Sequence, residues 1–200
     1  MLDLGFSPWD FLLLLRLYTR YVNLTKLWTR LFKRSQAADP EPPFSMVLLL
    51  RQSRPFTEDH LSTAGQRAWN VPFSDADGSM YCVVQATPNV TLIKSGKYLF
   101  NLMQEDSFYL GPVEEIAMHL PRQEQKEAWR QHGAWAALDL MNEDVPKNEA
   151  YAALARWAIE LETGNCVGIY LPKASILFPN DGTAKDGLER LIKKGRSNPV

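Results

Sequence analysis

Two hundred residues, 46% hydrophobic and 22% charged, suffice for one domain with a sizeable core and an appendage, and exclude a globally disordered chain. A net charge of −1 gives no overall attraction to nucleic acid, and no nucleic-acid partner is expected. The charge is uneven, however: residues 1–34 hold six basic side chains against Asp3 and Asp10, a net of +4, which leaves −5 for the remainder.

The basic head comes first in the chain. At about 100° per residue, Arg16, Thr19, Arg20, Asn23, Lys26, Arg30, Lys33 and Arg34 fall in one arc, and Leu13, Leu14, Leu17, Tyr18, Tyr21, Val22, Leu24, Trp28, Leu31 and Phe32 fill the other side. This pattern predicts an amphipathic helix over residues 8–34, with Ser7 as its cap and Pro8 in its first turn. Its apolar run is broken at Arg16, far short of a bilayer span, and the acids ahead of the leucines are the reverse of a signal-peptide start. Two destinations suit it. Leu17, Tyr21, Trp28 and Leu31 can bury in a membrane interface while Arg16, Arg20, Arg30 and Lys33 meet anionic headgroups. The same face can instead pack on a protein partner, on its own domain or on a second copy in a homo-oligomer.

A proline-rich linker follows over residues 35–43, and a globular domain over 44–200. Its elements alternate: strand "SMVLLLRQ", helix "TEDHLSTAGQRAWN" capped by Thr57, and a hairpin of "SMYCVVQA" with "VTLIKSG". Next come a further strand "KYLFNLMQ" and a helical stretch from Gly111 to His132 that Pro121 should split. Strand "AWAALDLM", helix "KNEAYAALARWAIELET", strands "CVGIYLP" and "ASILFP", and helix "TAKDGLERLIKKG" complete the chain. The order implies an α+β fold with helices packed on a mainly antiparallel sheet, ferredoxin-like with C-terminal additions.

Chemistry-bearing motifs are sparse. Glycine-rich phosphate loops, HExxH, GxSxG and EF-hand patterns are absent, and no metal or cofactor is expected. Cys82 and Cys166 lie in apolar runs and read as buried thiols of a reducing, cytoplasmic compartment, with the basic head at the inner membrane face. Glu114 and Glu115 suit the first turn of a helix. Trp69, Phe73 and Tyr98 are candidate exposed aromatics for a partner.

The best candidate for catalysis is "QHGAWAALDL" and its surroundings: His132, Asp139 and Asn142. In a strand from Ala134, Trp135, Ala137 and Asp139 share one face, and Ala134, Ala136, Leu138 and Leu140 the other. Seven extended residues span roughly 23 Å, so His132 and Asp139 cannot bond to each other directly. The structural alternative makes His132 the end of the preceding helix and Asp139 a turn-ordering residue.

The stretch "HGAWAALDL", followed by "ALARWAIELETGNCVGIYLPKASILFPND", resembles uncharacterised bacterial proteins of the domain-of-unknown-function group numbered 4261 and similar planctomycete-type proteins, best over residues 130–180. That resemblance implies no enzymatic role and no ligand. The expected function is a non-catalytic binding or adaptor domain, held at a membrane surface or protein partner by residues 8–34. The alternative is an enzyme with a cleft near His132, Asp139 and Asn142.

Overall fold

The computed structural model describes residues 42–74, 76, 78–162 and 164–196. The amphipathic helix expected over 8–34 lies outside the described residues, as does all of the linker except Pro42 and Pro43.

Seven strands form one antiparallel sheet: β1 (Phe44–Leu50), β2 (Tyr81–Thr87), β3 (Val90–Ser95), β4 (Tyr98–Glu105), β5 (Ala134–Leu140), β6 (Cys166–Leu171) and β7 (Ile176–Pro179). Their order across the sheet is β2-β3-β4-β5-β1-β6-β7. The helices are α1 (Glu58–Trp69), α2 (Val113–His119), α3 (Gln123–Gln131), α4 (Lys147–Leu161) and α5 (Ala184–Arg196). The α+β class and the mainly antiparallel sheet therefore agree with the sequence.

Residue type explains most boundaries. Thr57 caps α1, its hydroxyl accepting from the His60 amide at 3.3 Å. Pro121 divides the long helical stretch, so α2 ends at His119 and α3 starts at Gln123. Glu114 sits in the first turn of α2 and reaches Arg130 of α3 at 2.8 Å, tying the two short helices together.

The ferredoxin-like expectation is not confirmed: its expected hairpin, β2 with β3, lies at the sheet's edge and not beside β1. β5, α4 and β6 form a split β-α-β unit that brackets β1, as such a fold would need. In the other half, "YLFNLMQE" pairs with β3 through Tyr98–Met103 and with β5 through Phe100–Glu105, so β2, β3, β4 and β5 are consecutive neighbours. That pairing places β4 beside β5 and moves the hairpin out to the sheet's edge.

Strand alternation sorts the core into two layers. Met46, Leu48 and Leu50 of β1 and Ala134, Ala136, Leu138 and Leu140 of β5 point to one face, against α1, α4 and α5. Val47 and Leu49 of β1 and Ala137 of β5 point to the other, where Ala117 of α2 and Trp129 of α3 cover them. Every residue of β1 from Met46 to Leu49 is fully buried, as expected of a central strand with helices on both sides. Trp69, Phe73 and Tyr98 are half-buried against the larger core rather than exposed, which corrects their reading as free partner-binding aromatics.

Candidate functional site: a tyrosine between His132 and Asp139

His132 ends α3 and is buried. Its Nδ1 lies against the Trp129 carbonyl, which can only accept, so Nδ1 carries the proton. Nε2 is then the acceptor, and it takes the backbone N–H of Tyr109 at 2.9 Å. Burial holds the imidazole below its ordinary pKa, only partly opposed by the bond to Trp129. The ring is thus a neutral clamp between helix α3 and the loop that follows β4.

That clamp seats Tyr109. Its ring meets Trp135 edge-on at 5.3 Å, Tyr170 at 6.1 Å and Trp129 at 6.4 Å. Beneath this cluster Ala137 and Val47, paired in register, make a floor with little side-chain bulk. Leu110, the next residue, has φ 62° and Gly111 φ 82°. A leucine in the left-handed region is strained, and the His132 bond to the preceding residue helps to hold it there.

Asp139 lies on the same sheet face, past Ala137 along β5. It is not a turn-ordering residue, because β5 continues to Leu140. In register it faces Ser45 on β1 and Asn101 on β4, so an amide, a carboxylate and a hydroxyl form one row across three strands. Burial pushes the Asp139 carboxyl above its usual range, with the Ser45 hydroxyl pulling the other way. Tyr109 is pushed up to about 12, chiefly by burial, then by the Asp139 charge and by Tyr170. The influence of Asp139 on Tyr109 places the two groups in one electrostatic environment.

Asn142 does not join them. Its Nδ2 donates to the Lys97 carbonyl at 3.0 Å and its Oδ1 accepts the Leu99 N–H at 2.8 Å, so it braces the start of β4. It borders a separate cleft of about 340 Å³ with Lys97, Tyr98, Asp144 and Glu149. That cleft is crossed by a Lys97–Glu149 ion pair at 2.6 Å and a bond from the Tyr98 hydroxyl to Glu149 at 2.7 Å.

The three sequence candidates are therefore not gathered into one cleft. His132 and Asp139 are connected indirectly, through the backbone and the ring of Tyr109. Sequence reasoning missed Tyr109, Asn101, Ser45 and Tyr170. The parity of β4 and β1 could have placed Asn101 and Ser45 on the face of Asp139 once the strand order was known. Nothing local marks Tyr109, which sits in the irregular loop "SFYLGP".

The membrane- or partner-binding candidates Arg16, Leu17, Arg20, Tyr21, Trp28, Arg30, Leu31 and Lys33 lie outside the described residues. Among the described residues no helix is long and apolar enough to cross a membrane. Among them, too, no group of three His, Cys, Asp or Glu side chains is placed to hold a metal ion. Cys166 is buried, and burial pushes its thiol up to about 12; Cys82 is half-buried on β2. Comparison with protein-family models, curated proteins and solved structures gives no match, so function rests on this chain's own residues.

Proposed function

We propose that this protein is a non-catalytic binding or adaptor domain, held at a membrane surface or a protein partner by its basic amphipathic segment 8–34. One observation carries the domain half of this reading. Both ring nitrogens of His132 are spent on backbone groups, leaving it no lone pair or proton for a substrate, and Asn142 bonds backbone groups through both ends of its amide. Both act as braces: Asn142 holds the start of β4, and His132 holds a half-buried surface of aromatics and acceptors suited to holding a ligand.

The tether half rests on charge and periodicity. The +4 head and the −5 remainder favour an anionic surface for the head alone. Each basic residue near such a surface contributes about 1 kcal/mol, so a face of four or more is enough to localise the chain.

Liposome sedimentation tests the tether. Full-length protein should pellet with vesicles containing phosphatidylserine and stay in solution with neutral phosphatidylcholine vesicles. Replacing Arg16, Arg20, Arg30 and Lys33 by glutamate should abolish pelleting. Equal recovery on both vesicle types, or no effect of the four replacements, would sink the lipid form of the proposal. A specific protein captured through Leu17, Tyr21, Trp28 and Leu31 would then be the alternative anchor.

A further inference from the structure

The row Asn101–Asp139–Ser45 raises a separate question. Asn101 is only 6% exposed, and its Oδ1 finds no hydrogen-bond partner among the described residues. Leaving such an acceptor without a donor costs about 1–3 kcal/mol. Asp139, directly opposite, has no ion pair among the described residues. Two acceptors thus face the same patch: Asn101 Oδ1 has no donor among the described residues, and Asp139 has the Ser45 hydroxyl but no cationic partner among them.

The surroundings add to the same preference. Tyr109, Trp135 and Tyr170 stand beside the row as a cluster of half-buried rings. Aromatic faces attract cations and repel anions. Lys94 lies on this face as well, across Leu99 on β3, and is separated from Asp139 by the intervening strand β4.

We propose that this patch is a binding site for a guanidinium or ammonium group, with Asp139 as its counter-ion, Asn101 Oδ1 as a second acceptor and Tyr109 and Trp135 as its aromatic wall. A guanidinium suits it best, because its several N–H groups can serve both acceptors at once while its flat face rests on a ring. His132 is then a positioning residue: through the Tyr109 N–H it fixes the wall but does not touch the ligand. The site rests on the reading of the domain as a binding module and is independent of the tether. The raised carboxyl of Asp139 agrees with it, since a cation arriving there would favour the charged form.

Titration calorimetry on the full chain tests the site with three probes: agmatine, a short acetylated peptide centred on arginine, and the same peptide with citrulline. Agmatine or the arginine peptide should bind and the neutral citrulline peptide should not, by a margin of ~10-fold or more. Preference between the two cations tells whether the natural source is a free amine or a protein side chain; either preference supports the proposal. Asp139→Asn should weaken cation binding by ~10-fold or more, because the charge-assisted bond is lost. That variant keeps the side chain's shape and removes a buried charge, and its thermal unfolding confirms the fold. Absence of binding by both cations, equal binding of citrulline, or unchanged affinity in Asp139→Asn would each overturn the site. None of these outcomes bears on liposome binding, so the two proposals fail separately.

Discussion

Both ring nitrogens of His132 are committed to backbone groups, so the imidazole serves the fold only in its neutral form. Its pKa in the folded chain is lowered by burial, whereas an unfolded histidine titrates near ~6.5. The unfolded chain therefore binds the proton first as pH falls. Stability from this residue is complete above the unfolded value and is lost as pH drops through the lowered folded value. His60 shifts the same way, through burial and then the Arg54 and Arg67 charges, and adds to the slope. Urea unfolding between about pH 7.5 and about pH 5 should show stability falling toward acid, steepest below ~6.5. His132→Phe should cost about 2–4 kcal/mol at neutral pH, because it strips the Tyr109 N–H and the Trp129 carbonyl of their partner. It should also flatten the acid slope to the share left by His60. An unchanged slope in the variant would mean that His132 does not stay neutral in the folded chain. The role of His132 as a helix end was legible from its place after "EAWRQ", but its partner was not. A backbone amide 23 residues earlier in the chain leaves no mark on local sequence.

Among the elements, α1 shows how a glycine can be fixed by packing rather than by backbone conformation. A Cβ at Gly65 would stand 2.5 Å from the Phe73 ring and 2.7 Å from the Trp157 ring. Trp157 is fully buried on α4 and meets Phe73 edge-on at 5.7 Å, so neither ring has free room to retreat. Helix propensity alone favours alanine over glycine by about 1 kcal/mol. Overpacking a core costs about 1–3 kcal/mol, and here the intruding atom would sit well inside contact distance of two rings. Gly65→Ala should therefore destabilise the protein in chemical denaturation, by up to about 2 kcal/mol after the propensity gain is subtracted. A stabilised variant would show that α1 can slide away from α4 at no cost. Helices of this kind were readable from their periodicity and caps: Thr57 opens α1, and Pro121 separates α2 from α3. What the periodicity could not supply was the reason for Gly65, which depends on two aromatic residues from other parts of the chain.

For the described domain as a whole, strand identity and the facing of side chains were legible, and the order of strands was not. Alternation in "AWAALDL" correctly assigned Trp135, Ala137 and Asp139 to one face, because the pleat forces a period of two. Neighbour choice depends on long-range pairing, which local pattern does not encode, so the place of β4 between the hairpin and β5 could not be read from it. That order has a consequence for dynamics. β1 and β5 lie side by side in the middle of the sheet, with helices on both faces, and β1 from Met46 to Leu49 has no exposed surface. Their amides can reach solvent only when the sheet itself comes apart. β7 has four residues, lies at one edge and pairs only with β6, and β2 lies at the other edge and pairs only with β3. Edge strands open locally at much lower free energy than the global barrier. Native-state hydrogen exchange should therefore rank β1 and β5 amides as slowest, exchanging at the global unfolding free energy and with the full denaturant dependence. The amides of β7 and the outer side of β2 should exchange orders of magnitude faster with little denaturant dependence. Equal protection at centre and edges would mean the sheet opens only as one unit. If β5 were less protected than β4, α2 and α3 would not be shielding the face on which Asp139 and Tyr109 are placed.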